Sequence, residues 1–132
     1  MGLNHAELTL TNPARPELSG MSVRAMADTG AVHLCIPLHV ALQLQRGELE
    51  KREVTLADGG KQVVSYVGPI LVRFTNRSCF TGAMVLGDEV LLGAIPMEDM
   101  DLVLRPATQD VSANPKSPNM PASVAKGFRS SF

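Results

Sequence analysis

The chain has 132 residues, 45% of them hydrophobic and 19% charged, with a formal net charge of -1. That is enough for one domain with a modest core that needs neither disulfides nor a metal, and too little for two lobes. The balanced charge leaves no basic stripe for nucleic acid, and no apolar run approaches the roughly 18 residues that a membrane-spanning helix requires.

Taken in chain order, Leu8–Thr11 alternates apolar and polar residues and predicts a first strand, followed by a loop from Asn12-Pro13 through Pro16. Met21–Ala27 predicts a second strand and Val32–Ile36 a third. Pro37 suits the first position of a short helix, since a proline there loses no hydrogen bond. That helix would place Leu38, Ala41, Leu42 and Gln45 on one face and end near Gly47. Val54–Ala57 and Val63–Val67 flank Asp58-Gly59-Gly60, the strongest hairpin signal in the chain, because Asp-Gly readily takes the positive φ angles of a tight turn. Gly68-Pro69 should break that strand. Ile70–Phe74, a turn at Asn76-Arg77, Cys79–Leu86, a turn at Gly87-Asp88 and Glu89–Leu92 continue the alternation. Pro96–Met100 then reads as a helical turn opened by Pro96, and Asp101–Leu104 as a last strand. Many short strands at this spacing predict an all-β barrel or sandwich. From Pro106 the composition shifts to Pro, Ser, Asn and Lys, so the expectation is one domain over residues 1–105 and an extended or disordered tail over 106–132.

The most informative motif is Asp28-Thr29-Gly30-Ala31, a carboxylate on a tight turn directly after an alternating strand. No second Asp-Thr-Gly or Asp-Ser-Gly occurs, so chemistry that needs two such carboxylates must take the other from a second copy of the chain. Far downstream, Leu91-Leu92-Gly93 closes another strand. With these two anchors the chain resembles the retropepsin-like aspartic proteases from about Met21 to about Leu104, and in particular their small single-lobed prokaryotic members.

The resemblance implies a closed acid-protease β-barrel with one or two short helices and a flap hairpin. It implies a homodimeric endopeptidase in which Asp28 of each subunit is catalytic and no cofactor or metal takes part. Two carboxylates held a hydrogen bond apart share one proton, so one copy would act as base toward a water and the other as acid toward the scissile carbonyl. Gly30 would let its N–H reach the carboxylates, Thr29 would lock the paired loops across the two-fold axis, and Ala31 would leave the site open. Leu91, Leu92 and Gly93 would support the loop from beneath. Ala57, Asp58, Gly59 and Gly60 would form the flap over a peptide or protein substrate in extended conformation. After Gly93 stands Ala94-Ile95, where many viral members carry Arg-Asp or Arg-Asn to tie the helix to the dimer interface, so the resemblance does not carry the viral mode of dimerisation over to this chain.

Each feature also has a plainer reading. Asp28 can cap its own turn, Leu91-Leu92-Gly93 can be an ordinary strand end, and Asp58-Gly59-Gly60 a surface hairpin. A non-catalytic barrel of the same fold, binding a peptide or a partner protein, is therefore the alternative. His33, Cys35 and His39 could suggest a metal or a thiol nucleophile, yet no further Cys or His pair lies nearby, and Cys35 reads as a buried structural thiol. Cys35 and Cys79, without C-x-x-C spacing or a secretory leader, are expected to be reduced in a cytoplasmic protein.

Overall fold

In the computed structural model, which describes residues 4–105, 107–125 and 127, nine strands form one sheet that closes on itself. The elements are β1 (Asn4–Thr11), β2 (Met21–Ala27), β3 (Leu34–Ile36), α1 (Leu38–Leu44), β4 (Glu48–Thr55), β5 (Lys61–Phe74), β6 (Arg77–Val85), β7 (Val90–Leu92), α2 (Ala94–Asp99), β8 (Leu102–Arg105) and β9 (Asp110–Ala113). The order β5-β6-β3-β7-β2-β1 returns to β5 through Thr9–Thr11 against Leu71–Arg73, so six strands make a closed barrel. Alternation in β1 sends Ala6, Leu8 and Leu10 inward, where they meet Ala25, Leu34, Ile36, Ile70, Val72 and Leu92 in the core. Among the described residues no helix is long and apolar enough to cross a membrane.

Two elements hang on this barrel. β4 pairs only with β5, making a long hairpin that projects from it, and the β8–β9 hairpin attaches to β1 through His5 and Asp110.

Several expectations need correction. β4 begins at Glu48, not Val54, and its first four residues, three charged ones and Leu49, are exposed on both faces; the ladder to β5 holds it, aided by the Ser65 hydroxyl on Glu48 at 2.5 Å and a Lys51–Glu48 ion pair at 2.9 Å. The turn is a five-residue link, Leu56–Gly60, closed by the Leu56 N–H on the Gly60 carbonyl at 2.7 Å. β5 does not stop at Gly68-Pro69 but absorbs an extra residue there, its register shifting between Val67 and Ile70.

In α1 the buried residues are Val40, Ala41 and Leu44, whereas Leu38 and Leu42 are 61% and 67% exposed. Pro37 is the N-cap, and Gln45 ends the helix in the left-handed region at φ 57°. The face is chosen by tertiary docking: buried Asn12 donates to the Leu44 carbonyl at 2.8 Å and accepts from Arg46 at 2.6 Å, while Arg46 also donates to the Gly68 carbonyl at 2.9 Å. One small polar network thus ties the end of β1, the end of α1 and the bulge of β5.

α2 starts two residues before Pro96, with Gly93 as N-cap. Pro96 sits in the first turn, where no intrahelical donor is lost. The chain beyond 105 does not simply leave the barrel: β9 pairs along the whole of β8 and buries Val111 in the core. Residues 106, 126 and 128–132 of the expected tail lie outside the described residues.

Candidate functional site

The Asp28 loop is built by the ladder around it. β2 and β7 run parallel, with Ala25, Met26 and Ala27 opposite Val90, Leu91 and Leu92, and the Asp28 N–H continues the pattern onto the Leu92 carbonyl at 3.0 Å. The Ala31 N–H closes a tight turn on the Asp28 carbonyl at 3.1 Å, and the Gly30 N–H donates to Asp28 Oδ1 at 2.8 Å. Beyond the turn, Ala94 and Ile95 donate to the carbonyls of Ala31 and Val32 at 2.8 and 2.9 Å. The loop is therefore clasped by backbone on both sides.

Gly93 makes this clasp possible. A Cβ at that position would lie 2.3 Å from the His33 carbonyl oxygen and 2.7 Å from the Val32 carbonyl carbon, so only glycine lets the two segments cross so closely. Of the apolar pair before it, Leu92 is fully buried in the barrel core, while Leu91 packs with Cys35, Val64 and Met84 on the opposite side of β7.

That second face opens into a cleft of about 640 Å³ bordered by the Asp28 loop and the β4 arm of the hairpin. Asp28, Gly30, Ala31, Ala57 and Leu91 all border it. Asp58, Gly59 and Gly60 are exposed at the hairpin tip and are not part of its wall, which is supplied by residues 52–57 instead. Thr29 faces elsewhere, into a groove beside β8. The exposed Asp28 carboxylate thus stands at the mouth of a largely apolar trough.

Two residues of the trough wall, His33 and Arg52, converge on Tyr66. The Arg52 guanidinium lies 3.8 Å from the centre of the Tyr66 ring and pairs with Glu50 at 2.8 Å. His33 meets the same ring edge-on, with centroids 6.0 Å apart. Tyr66 can lie there because Gly82 has no side chain; a Cβ would fall 2.2 Å from the ring. Partial burial, and then the nearby Arg52 charge, hold the His33 pKa below its usual value, so the imidazole facing the cleft is neutral at neutral pH. Arg52 escaped notice because it lies in a charged run, and its part depends on cross-strand packing.

The remaining candidates separate in space. Cys35 borders the cleft but burial pushes its thiol up, and Cys79 is pushed up to about 12 by burial and the Asp99 charge; neither is an activated nucleophile, and the two are not joined to each other. His39 lines a different pocket, with His5 and Arg24. Among the described residues no three His, Cys, Asp or Glu side chains converge as a metal site would require.

The chain matches no protein-family model and no curated protein closely enough to mark a relative.

Proposed function

We propose that the protein is an aspartic endopeptidase of the retropepsin-like kind, active as a homodimer in which each subunit contributes Asp28. The observation that carries this reading is the conjunction of three features in one place. The lone Asp-Thr-Gly turn is clasped by Leu92 and Ala94, residues 52–57 of the β4–β5 hairpin face it, and a largely apolar trough of about 640 Å³ lies between them.

Exposed apolar side chains beside the turn support self-association. Val32 and Ile95 are 55% and 46% exposed, adjacent through the Ile95–Val32 hydrogen bond, and of the kind that a two-fold contact would cover.

In the dimer the two Asp28 carboxylates share a proton. The ionised one takes a proton from a water as that water attacks the scissile carbonyl, and the protonated one donates to the carbonyl oxygen, so no covalent intermediate forms. The Gly30 N–H holds Oδ1 in place during the exchange. A substrate strand lies between the Asp28 turn and residues 52–57 of β4, its side chains entering the apolar trough and its backbone bonding to the hairpin edge.

A second reading, a non-catalytic module of the same barrel binding an extended peptide or a partner protein, draws on the exposure of Asp28 and on its use as a turn cap. Cleavage of a diverse peptide library from acid to neutral pH, at several protein concentrations and beside Asp28→Asn, separates the two. Cutting that rises faster than linearly with concentration and vanishes in the variant establishes the protease. A folded protein that binds peptides but cuts none at any pH belongs to the second reading.

A further inference from the structure

After β9 the chain turns back along the barrel and is fastened there. The Asn114 N–H and side-chain amide donate to the Asp101 carbonyl and Oδ1 at 3.0 and 3.2 Å, and the Ser117 hydroxyl and the Ala122 N–H both donate to Asp101 Oδ2, at 2.5 and 2.9 Å. Asn76 donates to the Pro118 carbonyl at 3.0 Å, and the buried Arg77 donates to the Ser117 carbonyl. Asp101, set at φ 55° between α2 and β8, is the fixed point of this segment. The Ser117 hydroxyl, followed by the Ala122 N–H and the Asn114 amide, holds its carboxyl below the usual carboxylate range, as expected of an acceptor for three donors.

From this anchor Ala122–Val124 borders an open groove of about 660 Å³ whose other walls are Thr29, Ala94, Met97 and the strand β8. Among the described residues β8 is the last strand of the sheet and one of its edges carries no partner strand, and Leu102, Val103 and Leu104 are only half-buried. Thr29 is bonded directly to Asp28. Two copies of Asp28 cannot meet on a two-fold axis without Thr29 lying inside the contact. Ala122–Val124 therefore stands within the footprint that a second copy of the chain would need.

We propose that residues 114–125 form a removable strap over the docking surface for a second copy of this chain, latched at Asp101, so that release of the strap gates assembly of the Asp28 pair. The inference rests on the homodimeric reading given under Proposed function. When only the released form can associate, the apparent dissociation constant of the dimer rises with the closed fraction of each subunit, and the effect enters twice.

The test is the dimer dissociation constant, measured by sedimentation in the absence of substrate, for three proteins: the full chain, a chain ended after Met120, and Ala122→Pro. The shortened chain keeps the Ser117 and Pro118 contacts to Arg77 and Asn76, and Ala122→Pro keeps the full length while deleting one donor to Asp101. Thermal melts matching the full chain establish that both are folded. The expected result is a dissociation constant lowered at least about tenfold in both variants.

Unchanged or weaker dimerisation in either folded variant overturns the strap, weaker dimerisation meaning that the segment is part of the interface itself. Chains that stay monomeric with and without the segment overturn it too. Tighter dimers that cut no peptide would defeat the protease reading and leave the strap standing.

Discussion

Asp28 and Asp58 are held in the same way: each carboxylate Oδ1 accepts the backbone N–H two residues on, from Gly30 and Gly60, at 2.8 Å in both cases. The local chemistry of the two turns is thus equivalent, and what separates them is their surroundings. Asp58 stands at the tip of a solvated hairpin, and Asp28 borders the cleft between two clasped segments. Replacing either by Ala should cost a similar stability, about 1 kcal/mol for the lost turn bond, whereas Asn, which keeps the acceptor oxygen, should cost less. On the protease reading proposed above, hydrolysis should respond to one site only, falling at least about a hundredfold in Asp28→Asn and staying near the parent rate in Asp58→Asn. Paired urea melts and peptide-cleavage rates read both halves. Equal loss of activity in the two variants would remove the case for Asp28.

Gly93→Ala tests the clasp. Its Cβ would meet the main chain of Val32 and His33, which cannot swing aside as a side chain would, so we expect a loss of about 3 kcal/mol or more. Gly82→Ala meets the Tyr66 ring instead, and rotation of that ring should lower the cost while disturbing the Arg52 stack. Chemical denaturation of the two variants should rank Gly93→Ala well below Gly82→Ala.

Asn12→Ala should destabilise by about 3 kcal/mol, because it orphans the buried Leu44 carbonyl and removes the acceptor for Ala14 and Arg46 together. Hydrogen exchange should show the damage at the end of α1 and around Gly68 before it reaches the core of the barrel.

Cys79 predicts a pH window. Its thiol ionises near 9.0 when unfolded and at about 12 in the fold, so the unfolded chain loses its proton first as pH rises. The stability is intact below the lower value and declines between the two, by up to about 1.4 kcal/mol per pH unit. Urea midpoints of the parent should fall from pH 8 to pH 10.5 by more than those of Cys79→Val. Parallel slopes would show that the thiol is not sheltered as described.

The legible parts of the sequence were those where side-chain alternation and backbone need coincide. β2, the Asp28 turn and the strand ending at Gly93 could be read because a half-buried strand must alternate and a crossing must have glycine. The start of β4 carries no alternation because Glu48–Lys51 is exposed on both faces, so its strand conformation comes from β5 and not from burial. The face of α1 was misread because Leu38 and Leu42 are the larger apolar residues, yet Val40, Ala41 and Leu44 are the ones that fit against the barrel. β9 gives no periodic signal because Val111 is its one buried residue. In the site, Asp28 was evident from its turn, while the Arg52–Tyr66–His33 group could emerge only once cross-strand neighbours were known.

The placement of β7 between β2 and β3 also sets an order in time. β2 and β3 are close in sequence but cannot be neighbours until a strand some sixty residues later fills the gap between them, so the turn carrying Asp28 stays unclasped until Leu92 and Ala94 arrive. On a ribosome that emits the chain from its N-terminus, the first two-thirds of the protein would emerge with the Asp28 carboxylate unorganised, and the turn that holds it would be completed only as one of the last acts of folding.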